Sequence, residues 1–139
     1  MTDFQNEWAI LHSDIEKYQR FSLIIKLFSI LTCTLSIAFS INTFVTIFII
    51  LVLWLQDGIW VTFQQRLESR VLVIEDSIKN LKNNNAFQLY SEWQSNRPGS
   101  IKLLTEYTLN SLKPTVAYPY IALIVLLIII SPHTGIYPP

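Results

Sequence analysis

The sequence predicts an all-α membrane protein, and three observations lead to this fold class. Hydrophobic residues make up 51% of the 139 residues and charged residues only 14%, whereas about a quarter of an ordinary globular protein is charged. The apolar residues form three blocks. The first two have the length of a membrane-spanning helix, and the third, with about 16 residues, is at the short edge of that range, with a re-entrant segment as the alternative. The segments between the blocks have helical spacing. We therefore expect an N-terminal amphipathic helix, a two-span helical hairpin extended into a cytoplasmic stalk, and a third, C-terminal span.

The first element is an amphipathic helix over residues 1–20. Its apolar side chains recur at steps of three and four residues, which places them on one helical face: Phe4, Trp8, Leu11, Ile15 and Tyr18. The segment has a net charge of −2, whereas helices that lie on a membrane surface are usually basic. We therefore expect this face to pack against protein.

The second element is a hairpin over residues 21–63, with spans at 21–41 and 43–63. Each span has one charged residue, Lys26 in the first and Asp57 in the second. Lys26 lies sixteen residues before Asn42 and Asp57 fifteen residues after it, so a turn at Asn42 brings both to similar depth. We expect an intramembrane ion pair. The alternative is that Lys26 reaches the lipid headgroups and Asp57 lies at the interface.

Small or polar residues form a stripe along one face of the first span, at Ser22, Lys26, Ser29, Cys33, Ser36 and Ser40. One interpretation is the wall of a pore in an oligomer, lined by Ser29, Cys33, Ser36 and Ser40. The other is a close-packing seam, because small residues let helices approach one another in lipid.

Residues 64–114 form the third element, a helical segment. The apolar spacing continues without a break after residue 63, which predicts a stalk that ends near the asparagines at 83–85. A short helix over 86–95, a loop at 96–100 and a helix over 101–113, ended by Pro114, follow. Residues 115–131 are the third span and residues 132–139 an outer tail.

The positions of the basic residues predict the orientation. All ten Lys and Arg residues lie between 17 and 113, and loops rich in these residues stay in the cytoplasm. We therefore expect a multi-pass protein of a bacterial inner membrane, with a cytoplasmic N-terminus and a cytoplasmic segment 64–114. That segment has a net charge of +2 over residues 64–113, complementary to the N-terminal helix.

The composition argues against several classes of protein. A net charge of zero argues against a partner of duplex nucleic acid. A single cysteine excludes an intrachain disulfide and a cysteine-based metal cluster. With three glycines and no catalytic motif in the sequence, we expect no enzyme, no metal and no cofactor.

Two segments resemble a known family. Trp54, Asp57 and Trp60, followed by Gln64, Gln65 and an arginine, are similar to a pattern in small multi-span membrane proteins of bacterial anti-phage defence operons, as is Ser111–Lys113 before Pro114. Some of these proteins, of the Hailong type, are paired with a nucleotidyltransferase. The resemblance implies a homo-oligomeric ion channel controlled by a nucleotide or oligonucleotide.

A nucleotide ligand would need basic residues of the cytoplasmic segment, because Lys and Arg neutralise phosphates. The candidates are Arg66, Arg70, Lys79, Lys82, Arg97 and Lys102. The alternative is that they are topology signals and solvated charges of the stalk.

The expected function is therefore an oligomeric pore in the lipid bilayer, with Lys26 and Asp57 at its inner mouth. One alternative is a non-conducting anchor that docks a cytoplasmic partner through the apolar face of the N-terminal helix. Another is a small regulatory toxin that acts without a signal.

Overall fold

The computed structural model describes residues 2–79, 94 and 98–134, and the regular structure in these ranges is helical. It consists of α1 (Thr2–Ala38), α2 (Thr43–Lys79), α3 (Ser100–Ser111) and α4 (Pro114–Thr134). The all-helical class is confirmed. Three of the helices, α1, α2 and α4, are long and apolar enough to cross a membrane.

Helices α1 and α2 form a long antiparallel hairpin of 37 residues each. The predicted segments 1–20 and 21–41 are one continuous helix up to Ala38, and α2 continues past the predicted span to Lys79. The predicted stalk end at 83–85 and the short helix over 86–95 lie outside the described ranges, apart from the single helical residue Gln94.

The turn between the two helices has a well-defined cap at each end. Ser40 adopts a left-handed conformation, with φ of 52°. The Ile41 amide donates to the Ser36 carbonyl at 3.0 Å, as in the Schellman motif that ends many helices. The amide of Phe44 then donates to Oδ1 of Asn42 at 2.9 Å, and this bond satisfies one of the free amides at the start of α2.

Helices α3 and α4 follow one another with only Leu112 and Lys113 between them. The Leu112 amide still donates to the Thr108 carbonyl at 3.1 Å. Pro114 is then the first residue of α4, where a missing amide hydrogen is harmless. Helix α4 begins one residue before the predicted span and continues to Thr134; residues 135–139 of the predicted tail are outside the described ranges.

Helix α2 is the central element and packs against α1, α3 and α4. The buried apolar cluster within the hairpin and α4 consists of Cys33, Ile50, Val116, Tyr120 and Leu127. Large apolar side chains, Phe28 and Phe48 among them, remain exposed on the outside of the bundle. An apolar exterior around a small core is the arrangement expected of a bundle surrounded by lipid.

Candidate functional site

A carboxylate lies at the centre of the bundle. Asp57 of α2 has no solvent-exposed surface, and the Nζ of Lys26 from α1 lies 3.4 Å from its Oδ2. The hydroxyl of Ser22 donates to Oδ1, and the hydroxyl of Tyr120 from α4 donates to Oδ2 at 3.0 Å. We call these four residues the Asp57 network; it joins three helices at one point.

Local helix geometry positions each member. Ser22 and Lys26 are one turn apart on the same face of α1, and Lys26 Nζ donates to Ser22 Oγ at 2.9 Å. The ring of Tyr120 stacks on Trp54, one turn before Asp57, with the centroids 6.0 Å apart. A buried carboxylate is tolerated only where donors and an opposite charge replace its lost hydration, and this network supplies both.

The same end of α2 also holds α3 at close range. The indole Nε1 of Trp54 donates to the Ser111 carbonyl at 2.7 Å. A Cβ atom on Gly58 would lie 2.6 Å from Ser111 Cβ and 2.9 Å from the Tyr107 carbonyl oxygen. The end of α3 therefore meets α2 beside Asp57 and Gly58.

An open polar cleft of about 520 Å³ lies beside the network. Lys26 is 25% exposed and lines this cleft, whereas Asp57 is sealed behind it. Lys113 enters from the turn between α3 and α4, and it forms no ion pair with the residues that the structure describes. The lining consists of Gln19, Ser22, Leu23, Lys26, Val61, Gln64, Gln65, Glu68, Lys113, Thr115 and Val116.

The stripe on the first span faces the interior of the subunit. Ser29, Cys33 and Ser36 are buried, and the Ser36 hydroxyl is hydrogen-bonded to that of Thr46 on α2. Ser40 lies exposed in the turn. In this conformation the three buried side chains cannot line a pore between subunits, because their own helices cover them. In this conformation the stripe forms packing contacts within the subunit, and the pore-lining role of these residues stays a prediction.

The basic residues considered for a ligand are dispersed. Arg66 pairs with Glu106 at 3.3 Å, and Arg70 Nε lies 3.0 Å from Glu7 Oε1 with both side chains buried. Lys79 and Lys102 are exposed on separate helices. Lys82 and Arg97 lie outside the described ranges. Neither arginine lines the polar cleft, and both are neutralised by carboxylates of this chain.

The apolar face of the N-terminal half of α1 is covered by α2. Leu11 and Ile15 are buried, the Tyr18 ring lies 5.4 Å from that of Trp60, and Trp8 Nε1 donates to Glu75 at 3.0 Å. This face packs against protein, as its acidic charge favours. Phe4, Trp8 and Tyr18 are half-buried, so α2 covers the centre of this face more completely than its edges.

The sequence predicted the pairing of Lys26 with Asp57. It did not predict the roles of Tyr120, Lys113 and Glu7. Tyr120 has the appearance of a membrane-interface aromatic, and nothing in the sequence gives the rotation of the third span. Lys113 is the last charged residue before the third span, and this position was the one sequence feature that could have indicated its place in the cleft. Glu7 lies three residues after Phe4 and four before Leu11, on the apolar face of α1, and a carboxylate at that position was the available signal of a buried pair.

No protein family, curated protein or solved structure matches this chain. Within residues 2–79, 94 and 98–134, no group of three His, Cys, Asp or Glu side chains is arranged to hold a metal ion. The Asp57 network and the polar cleft are therefore the features of the described residues that bear on function.

Proposed function

We propose that this chain is the subunit of a homo-oligomeric ion channel of the bacterial inner membrane, with its N-terminus in the cytoplasm. The observation behind this proposal is that Asp57 is fully buried between helices apolar enough to span the membrane, while its partner Lys26 lines an open polar cleft. Charged residues within spans are costly, and they commonly mark ion or proton pathways.

In this proposal the Asp57 network is a latch. It ties α1 to α2 and α4, and breaking it would leave a buried charge without compensation. Opening would move α1 away from the other two helices, so that the hydroxyls of the seam, such as Ser29 and Ser36, become wetted. The conformation described above would then be the closed state.

The oligomer and the biological setting are parts of the same proposal. Three spans provide too little surface to enclose an aqueous path, so several copies would surround an axis. The resemblance of the segments around Asp57 and Ser111 to anti-phage effectors supports a role in phage defence. A cytoplasmic signal, such as a nucleotide or oligonucleotide made by a partner nucleotidyltransferase, would release the latch.

The test is potassium flux from proteoliposomes that contain several copies per vesicle. We expect Lys26→Gln and Asp57→Asn to increase the flux over that of the unmodified protein, because each removes one side of the latch. Lys17→Gln, which removes an exposed charge in the polar half of α1, is the matched control and should leave the flux unchanged. Absence of flux from all four proteins would overturn the proposal.

A second candidate is a non-conducting membrane anchor, and the exposed face of α3 favours it. Ile101 is 85% exposed and Leu104 66% exposed, so α3 presents apolar side chains that the described part of the chain leaves uncovered. Native mass spectrometry of the solubilised protein separates the two functions. A closed ring of four or more copies supports the channel, whereas a monomer removes the channel and leaves the anchor.

A further inference from the structure

We infer that the polar cleft is a binding site for a phosphate group, presented either by a phospholipid headgroup or by a soluble phosphate ester. Two ammonium groups from separate parts of the chain enter it, Lys26 from α1 and Lys113 from the turn before α4. Side-chain amides of Gln19, Gln64 and Gln65 line the same space. Cations together with neutral donors are the groups that bind phosphate oxygens in proteins.

The charges of the lining favour an anion over a cation. Lys26 is engaged by Asp57, but Lys113 has no carboxylate partner among the described residues. Glu68 is the one acidic residue of the lining, and its Oε1 already accepts a hydrogen bond from Gln64 Nε2 at 2.7 Å. With Asp57 counted, two lysines and two carboxylates balance. Asp57 is sealed behind Lys26, so the ammonium of Lys113 is the charge in the cleft that a phosphate can pair with.

The position of the cleft fits a phosphate at a membrane surface. It lies where α1 and α2 change from apolar to polar sequence, near residues 20–21 and 63–64, and beside the first turn of α4. Lipid phosphates lie at this level of a bilayer, and basic pockets between membrane helices bind anionic headgroups. Leu23, Val61 and Val116 give the cleft an apolar wall, and its volume is that of a small-molecule site.

A bound phosphate would also reach the Asp57 network. The Lys26 ammonium lies 3.4 Å from Asp57 Oδ2, so a phosphate in the cleft competes with that carboxylate for the same cation. Occupancy would therefore alter the strength of the latch. This consequence rests on the proposed channel function, whereas the binding itself does not.

The experiment measures binding to the full-length protein in detergent by native mass spectrometry, with phosphatidylglycerol, phosphatidylcholine and inorganic phosphate as probes. We expect a preference for phosphatidylglycerol or a saturable interaction with inorganic phosphate. Lys113→Gln should weaken the preferred interaction by about tenfold, as expected for loss of one charged hydrogen bond. Gln19→Glu, a separate variant at an exposed position, should also weaken the preferred interaction, because it places a carboxylate in the cleft.

The matched control is Lys102→Gln, which removes an exposed lysine of α3 that does not line the cleft. Binding of phosphatidylglycerol alone identifies a lipid headgroup as the source, and binding of inorganic phosphate identifies a soluble phosphate ester. Equal binding by the Lys113→Gln and Lys102→Gln variants, or no binding of either anion, overturns the inference. Circular dichroism checks that both variants remain folded. Since no conductance enters the measurement, its failure leaves the channel proposal separately testable.

Discussion

Asp57 and Lys26 differ in how each would tolerate the loss of its partner. The carboxylate has no exposed surface, whereas the lysine is 25% exposed and lines the polar cleft. A lysine without Asp57 can turn its ammonium toward water or headgroups, because its aliphatic stem is long. An aspartate without Lys26 stays sealed in the bundle, where the hydroxyls of Ser22 and Tyr120 still donate to it.

Lys26→Gln is therefore expected to lower the free energy of unfolding more than Asp57→Asn. Removal of one partner from a buried pair costs about 3–5 kcal/mol, and the Asp57→Asn change should cost less than this range. The double variant should be more stable than the sum of the single effects predicts, because it leaves no uncompensated charge. Denaturant titration in a mild detergent measures all three; additive losses would show that the two residues do not interact.

The Asp57 network was predictable from the sequence only in part. The depth of Lys26 and Asp57 follows from counting residues on either side of Asn42, since the turn is short and both helices are continuous. The contribution of Tyr120 depends on the rotation of α4, and this rotation is set by packing against Trp54 rather than by any periodicity in the chain. Hydropathy locates a span but does not orient it.

At the scale of elements, the contact between α2 and α3 depends on the absence of a side chain at Gly58. Thr62 lies one turn further along α2, and its Oγ1 accepts a hydrogen bond from Asn110 Nδ2 at 2.8 Å. The two helices therefore meet through small and polar groups over at least one turn. Small residues at such crossings allow close backbone approach.

Gly58→Ala should push α3 away from α2, because the added methyl group would overlap both Ser111 and the Tyr107 carbonyl. We expect a loss of about 1–3 kcal/mol, as for overpacked cores, together with faster amide hydrogen exchange in α3. Gly99→Ala is the matched control, since a Cβ there meets nothing within 4 Å. Equal protection of α3 in the two variants would show that the close approach at Gly58 is not needed.

The polar halves of α1 and α2 are held together by a second buried ion pair, between Glu7 and Arg70. The overall charge complementarity of these segments was visible in the sequence. The particular pair was not, because opposite charges on two amphipathic helices allow many pairings and side-chain packing selects among them. Surface pairs of this kind contribute little, but this one is buried.

Glu7→Gln should loosen the polar half of the hairpin while the apolar half stays intact. The substitution keeps the shape of the side chain but leaves the buried Arg70 without the Glu7 charge, and we expect a loss of about 3 kcal/mol. Glu16→Gln, at an exposed position of the same helix, should change stability by less than about 0.5 kcal/mol. Amide hydrogen exchange over residues 2–20 and 64–79 compares the two variants, and we expect faster exchange in Glu7→Gln. Similar exchange in Glu7→Gln and Glu16→Gln would contradict the prediction.

For the molecule as a whole, the three apolar blocks were sufficient to predict the all-helical class and the number of candidate spans. The direction in which the small-residue stripe faces was not decided, because a packing seam and a pore wall use the same residues, Ser29 and Ser36 among them. Only the arrangement of α2 and α4 around α1 separates the two interpretations. In the conformation described, this arrangement covers Ser29 and Ser36 as a packing seam would, and the pore wall stays a prediction for an open conformation.

The positions of the basic residues predict which side of the membrane each end of α1 faces. If the positive charges remain in the cytoplasm, then cysteines introduced at Ser13 and Ser100 should react with a membrane-impermeant maleimide only after the inner membrane is opened. A cysteine at Ile41, in the turn, should react in intact spheroplasts. Cys33 is 2% exposed, so the unmodified protein should stay unlabelled and serve as the background.

Labelling of Ser13→Cys from outside would show that the molecule has the inverted orientation, with the polar cleft at the opposite surface of the membrane. Labelling of Ser13→Cys and Ile41→Cys from the same side would mean that the α1–α2 hairpin does not cross the bilayer, since α1 joins those two positions through its apolar half.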